Sequence, residues 1–237
     1  MNPEERLKNI SQSDIRKAFD KTCEDIGLTE TKLELVTEDR YPEVLEILRD
    51  CFINDEPLEK SLQLQWSSEM AGVWLNALQH NMSILLVNNE NNEIIGVRVI
   101  RVTRKTDQFE KDKCKDEQVL KLLNFFDYTT DTFDFFRKYN VSEIFEFFGL
   151  GVVSKYRRRG YGTLLMEAGV KLINNLEIKP CFIRGSASSN FAKTIFEKCE
   201  FETVADFPYC DYNVEDCIVF DDTGEHKSMT VYSKCLE

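Results

Sequence analysis

Apolar and polar residues change rhythm several times along this chain, and each change marks an element. Leu33-Glu34-Leu35-Val36-Thr37 alternates and predicts a first strand. From Arg40 to Leu48 the apolar positions recur at helical spacing, with Pro42 in the first turn, where its missing N–H is tolerated. A second helical region is predicted from about Leu58 to Gln79. Ser83–Asn88 and Ile94–Ile100 flank the polar Asn89–Glu93 and read as a hairpin. Leu and Phe at helical spacings between Glu117 and Tyr139 predict two helices. Phe147–Val153 is an almost unbroken apolar run suited to a buried strand, and Thr163–Ile173 places Leu164, Leu165, Ala168 and Leu172 on one helical face. A strand at Pro180–Gly185, a short helix at Asn190–Lys198 and strands near Phe201–Val204 and Met229–Tyr232 complete the pattern. Strands alternating with helices, beside a hairpin, predict an α/β fold with a mixed sheet rather than a bundle or a sandwich. The charged stretch to about Glu30, helix-compatible over Ser13–Phe19, reads as a peripheral extension: residues 1–32 are assigned to a helical extension and 33–237 to a single domain.

Composition narrows the class. A chain of 237 residues accommodates one α/β domain with an extension. The net charge of −12 opposes broad binding to a nucleic acid. No run is long enough to span a membrane, and Met1-Asn2-Pro3-Glu4-Glu5-Arg6 lacks the basic-then-apolar plan of a signal peptide, so a cytoplasmic protein without a membrane partner is expected. The eight cysteines contain no C-x-x-C pair, which predicts reduced thiols and no metal site. A monomer is the expected state.

The richest chemistry lies in Arg157-Arg158-Arg159-Gly160-Tyr161-Gly162, an R-x-x-G-x-G run between a predicted strand and a predicted helix. Such a turn aims free backbone N–H groups outward, and the helix dipole adds positive potential there. Glycine lets an anion approach the backbone closely, and the arginines supply cationic donors. A dinucleotide fingerprint would need glycine where Leu165 stands, and a Walker A loop would need Gly-Lys-Ser/Thr after Gly162. The run therefore reads as a pyrophosphate cradle, with a solvated basic turn or a short nucleic-acid patch as the plainer alternatives.

Strand, R-x-x-G-x-G, helix, strand and then Asn190-Phe191-Ala192-Lys193-Thr194-Ile195-Phe196-Glu197-Lys198 resemble motifs A and B of the GCN5-related N-acetyltransferases, GNAT for short. Far upstream, Asp55-Glu56-Pro57-Leu58 is similar to the D-E-P-L segment of the insect-type arylalkylamine N-acetyltransferases, which include dopamine acetyltransferases. The resemblance runs from about Leu33 to Lys234, with Asp211-Tyr212 and Val219-Phe220 fitting that family's C-terminal end. It implies the GNAT fold, a largely antiparallel central sheet splayed in its middle and flanked by helices, with acetyl-CoA as acetyl donor and a small amine as partner. By resemblance, Leu150, Gly151 and Val152 would meet the pantetheine arm, Arg157, Arg158, Arg159, Gly160, Tyr161, Gly162 and Thr163 would hold the pyrophosphate, and Asn190 would lie near the CoA arm.

An alkylamine is protonated at neutral pH and must lose a proton before it attacks the thioester. The resemblance assigns that task to Glu56, whose plainer reading is an acid at a helix N-terminus. His80 and His226 sit in no recognisable catalytic setting, and Asp55 is expected to orient the loop. Many acetyltransferases carry a tyrosine acid where Phe196 stands here. The insect-type enzymes carry two serines instead. Ser188 matches the first, as candidate acid, and Ala192 replaces the second; Ser186 or Ser189 could substitute, and the whole Ser186–Ser189 run also reads as a helix-capping loop. Cys199-Glu200-Phe201 replaces the family's Leu-Gly-Phe, so a differently shaped turn is expected. The phenylalanines at 125, 126, 133, 135, 136 and 145 read as core packing or as walls of an arylalkylamine pocket. Two function classes follow: an N-acetyltransferase for arylalkylamines, with a polyamine or longer acyl donor as variants, and a CoA-binding regulator without efficient chemistry.

Overall fold

A computed structural model describes residues 6–108 and 111–237. Helix α1 (Gln12–Ile26) starts from a capping box, in which Ser11 and Asp14 satisfy each other's backbone N–H groups, and stops at Gly27 in the left-handed conformation. Its Ile15, Ala18, Phe19 and Thr22 are buried, and Thr22 accepts a hydrogen bond from Asn175, at the end of a long helix in the second half of the chain. The stretch read as a peripheral extension thus contributes a face to the core, because its apolar residues repeat at three and four.

Strand β1 (Thr31–Leu35) begins two residues before the predicted Leu33. Helix α2 (Tyr41–Phe52) follows. The region predicted as one helical stretch from Leu58 to Gln79 divides into α3 (Pro57–Ser61) and α4 (Ser68–Leu78). The division falls where Gln63 takes a positive φ of 51°, and Ser67 restarts the helix by accepting the Met70 N–H. Strands β2 (Ile84–Asn88) and β3 (Ile94–Arg104) form the predicted hairpin. Helices α5 (Glu117–Thr132) and α6 (Phe135–Tyr139) precede β4 (Glu143–Val152), and α7 (Tyr161–Asn175) carries the chain to β5 (Cys181–Ala187). Helix α8 (Asn190–Lys198), β6 (Glu202–Pro208), the small hairpin β7 (Asn213–Val214) and β8 (Cys217–Ile218), and β9 (Ser228–Leu236) complete the order.

The seven-stranded sheet runs β1-β2-β3-β4-β5-β9-β6, antiparallel except for the β4–β5 pair. Helices α2 to α6 cover one face, with Val44, Leu48, Trp74, Leu122 and Phe125 in its core; α1, α7 and α8 cover the other, with Phe19, Leu165, Leu172 and Phe196. Among the described residues no helix is long and apolar enough to cross a membrane.

Strand β4 departs from regular pairing on both of its edges. On the β3 side, Val99 pairs with Gly149 and Ile100 with Phe147, so Phe148 is an extra residue that bends the strand. Gly149 is needed there: a Cβ would lie 2.6 Å from the Trp74 ring, which packs between Phe52 and Phe148. On the other side, pairing of β4 with β5 covers Phe145–Ile183, Glu146–Arg184 and Phe147–Gly185 and ends there, while β3 stays paired to Val152. This is the splay in the middle of the sheet.

At the closed end of the splay, Glu146 accepts hydrogen bonds from Arg101 Nε at 2.7 Å and Thr103 Oγ1 at 2.8 Å, opposite Arg184 in the register. Burial by itself would raise its pKa; the Arg101 and Arg184 charges and the hydrogen bonds outweigh that and bring it down to about 2.

Candidate active site

At the open end of the splay, the β5-facing edge of residues 148–152 has no strand partner. Beyond it, Val153 still bonds back to β3 through Ile95, and a short turn over Ser154–Tyr156 leads into the arginine run. Gly160 precedes α7 with φ +84°, a conformation that favours glycine, and nothing lies within 4 Å of where its Cβ would be. Whereas Ser11, Ser67, Asp116 and Ser189 cap α1, α4, α5 and α8, α7 has no side-chain cap. Its first N–H groups face outward at the positive end of the dipole. An uncapped helix start beside an unpaired strand edge fits a pyrophosphate joined to an amide-bearing arm, with Leu150, Gly151 and Val152 on that edge and Gly160, Tyr161, Gly162 and Thr163 at the helix start.

The three arginines of the run divide. Arg157 turns inward: its Nε donates to the Val152 carbonyl at 2.8 Å and its Nη1 lies 2.7 Å from Asp55 Oδ2. Arg158 is exposed at a positive φ of 61°, its guanidinium 4.9 Å from the centre of the exposed Phe191 ring. Arg159 is exposed too, 5.8 Å from the Tyr156 ring. Asn190, the first residue of α8, donates its backbone N–H to His226 Nδ1 at 3.1 Å and its side-chain amide to the Glu225 carbonyl at 3.2 Å.

Asp55 brings the next residue, Glu56, to the same place. Glu56 is the N-cap of α3, Pro57 fixes the first helical position, and the Glu59 N–H donates to Glu56 Oε2 at 2.7 Å. The Ser188 hydroxyl and the Leu58 N–H also lie beside the Glu56 carboxylate and favour its charged form. Burial pushes its pKa up, and these donors pull the other way without cancelling the rise. Ser188 directly follows β5, and its carbonyl accepts the Tyr209 hydroxyl at 2.7 Å. The segment bearing Glu56 is therefore tied to both lips of the splay, through Arg157 after β4 and through Ser188 after β5.

The serine run separates into roles. Ser188 faces Glu56, while Ser189 spends its oxygen capping α8 at the Ala192 N–H. Phe196 is buried with its ring over Gly185 and stacked on Tyr232 at 4.7 Å, so no hydroxyl stands at that position. The turn after α8 keeps the left-handed form that glycine would take: Glu200 adopts φ 58° and Phe201 N–H reaches back to the Phe196 carbonyl. The different shape expected from the missing glycine does not arise.

Several members of the site had no local signal. Glu59 is buried at 4% exposure three residues after Glu56, and its Oε2 has no hydrogen-bond partner. Tyr209 arrives from the far end of the chain; burial first, then the Glu56 charge, holds its hydroxyl protonated. His226 sits over the start of α8, 5.5 Å from the Phe191 ring. With Asp222, Thr223, Gly224 and Glu225 it faces Asp55, Pro57 and Lys60 across a cavity of about 260 Å³. His80 lies elsewhere, accepting the Val102 N–H at 3.4 Å. Of the phenylalanines, Phe145 packs on the opposite face of the sheet and Phe135 and Phe136 are core, whereas Phe125 packs at an angle among Tyr209, Tyr212 and Phe220 and reaches the site through Tyr209. No cluster of His, Cys, Asp or Glu suited to a metal ion occurs among the described residues.

Comparison with known proteins gives the geometry its relatives. A family model described as "Acetyltransferase (GNAT) family" matches residues 41–201. The crystal structure of arylalkylamine N-acetyltransferase 2 from Aedes aegypti superposes with a TM-score of 0.80 at 24% identity, covering 88% of this chain and 100% of that one. A mosquito arylalkylamine N-acetyltransferase like 5b gives 0.79 at 19% identity, covering 87% and 100%. The Drosophila melanogaster polyamine N-acetyltransferase, which forms N-acetylagmatine, gives 0.74 at 14% identity, covering 87% and 100%. At these identities the likeness is one of fold.

Proposed function

The chain belongs to the acetyltransferase (GNAT) family, and on that premise we propose that it transfers the acetyl group of acetyl-CoA to the primary amine of an arylalkylamine, with Glu56 as general base. The observation that carries this reading is the placement of Glu56. A carboxylate raised in pKa stands beside Ser188 where the two strands part, in a segment that Asp55 ties to Arg157 ahead of the uncapped start of α7.

In this reading the pyrophosphate meets the first turn of α7, with Arg158 and Arg159 as surface cations, and the pantetheine arm pairs with the free edge of residues 150–152. The strand backbone there polarises the thioester carbonyl and receives the oxyanion. Glu56 takes one proton from the ammonium and the amine lone pair attacks the thioester carbonyl; the tetrahedral intermediate then collapses with cleavage of the C–S bond, and the second nitrogen proton passes to water. Ser188, beside Glu56 and favouring its charged form, orients the base in this reading; the departing thiolate, of modest basicity, takes its proton from water. Arg157, engaged with Val152 and Asp55, braces the loop rather than serving as a phosphate ligand.

An aromatic amine is favoured by the Phe125, Tyr209, Tyr212 and Phe220 cluster behind Ser188 and by the named arylalkylamine enzymes of like fold. A polyamine is the second reading. It is supported by the cavity beside Pro57, where Asp55, Asp222 and Glu225 outnumber Lys60, and by the polyamine enzyme of like fold. Free-thiol release from acetyl-CoA with dopamine, tryptamine, serotonin, histamine and spermidine separates the two. Turnover of the aromatic amines above spermidine supports the first reading, the reverse order supports the second, and CoA binding without release for any amine would leave a non-catalytic binding protein.

A further inference from the structure

Glu59 is a buried acid to which acyl transfer assigns no task. Its residue is 4% exposed, its Oε2 lacks a hydrogen-bond partner, and the charged group acting on it is Glu56, three residues earlier on the same short helix. Lys60, next in the chain, is exposed and lines the outer cavity instead. The two carboxyls are treated unequally. Glu56 accepts the Glu59 N–H at 2.7 Å and has the Leu58 N–H and the Ser188 hydroxyl beside it, all of which favour a negative charge. Glu59 has an orphaned oxygen in a water-poor setting, which favours the neutral acid. Two like charges this close and this buried are not both sustained, so one proton is shared by the pair, and the donor asymmetry decides where it resides.

We propose that Glu59 is a positioning residue that carries a proton throughout the working range and thereby keeps the two-carboxyl site at a single negative charge, borne by Glu56. Burial, reinforced by the Glu56 charge, pushes Glu59 well above the ordinary glutamate range. The other groups facing the pair are the Ser188 hydroxyl from the loop after β5 and the Tyr209 hydroxyl from the turn after β6, the latter held protonated by burial, Glu56 and Asp206. The Asp55–Arg157 pair lies outward. When Glu59 loses its proton to water at alkaline pH, a second buried charge appears beside Glu56 and repels it from its donors. The acid limb of the rate profile then belongs to Glu56 and the alkaline limb to Glu59.

This inference rests on Glu56 being the base, and its test separates the two ideas. In Glu59→Gln the neutral amide mimics the protonated acid, so the acid limb of kcat/KM is retained and the alkaline limb disappears or moves up. An alkaline limb unchanged from wild type overturns the proposal. Infrared spectroscopy needs neither substrate nor turnover: at neutral pH the wild-type and Glu56→Gln proteins show a neutral-carboxyl C=O stretch that Glu59→Gln lacks, and in wild type it titrates away as the alkaline limb falls. No such band in wild type at neutral pH overturns the proposal even if no amine is acetylated and even if Glu59→Gln folds poorly.

Discussion

Glu146 and Glu56 are both acids drawn out of bulk water, one at the closed end of the splay and one at its open end. Glu146 meets Arg101, Arg184 and Thr103, and its pKa falls to about 2. Glu56 meets only neutral donors, with a second acid at its back, and its pKa rises. Burial is common to both. What differs is whether a cation shares the site, and that difference separates an acid that joins strands from one that can accept a proton. A missing cation is also what an incoming ammonium would supply.

The largest expected effect breaks the open end. Glu56→Gln should lower kcat by about 10²–10⁴-fold, with acetyl-CoA affinity and melting temperature held, because a general base is lost and no ion pair is disturbed. Next comes the closed end. Glu146→Gln should reduce stability by about 3–5 kcal/mol in denaturant titration, since it leaves Arg101 and Arg184 facing a neutral group in a mostly buried site. The same contrast has a pH signature. A carboxyl depressed in the folded state adds stability above its unfolded value of about 4.3 and loses it as pH falls toward about 2. Wild type should therefore lose stability across that window more steeply than Glu146→Gln.

Smaller effects sharpen the comparison. Ser188→Ala removes one donor from Glu56 and should cut kcat by about tenfold, or about 1.4 kcal/mol, with no loss of CoA binding. Asp55→Asn breaks an ion pair that is more than a third exposed on both sides, so stability should change by less than about 1 kcal/mol in denaturant titration.

How much of the molecule was legible in the sequence depends on range. The hairpin, the strand-loop-helix unit and the short helix after Ser189 were readable because each is specified by neighbours within a few residues. Glu56 and Ser188 were reached through the D-E-P-L segment and the serine run, which are also local. Their meeting was not legible, since 132 positions separate the two numbers in the chain. The bulge at Phe148 sits where Gly149 meets the Trp74 ring, a contact across elements. Nothing in the sequence marks Glu59, because its burial depends on how α3 docks. Nothing near Arg157 in sequence announced its ion pair with Asp55.

The most direct test of Glu56 as base is the pH dependence of kcat/KM for the best amine in wild type and Glu56→Gln at saturating acetyl-CoA. Both proteins share the ionisation of the amine. Wild type should show an additional acid-side inflection, above the ordinary glutamate range, that is absent from Glu56→Gln. The same inflection in both proteins, with turnover unchanged, would contradict it.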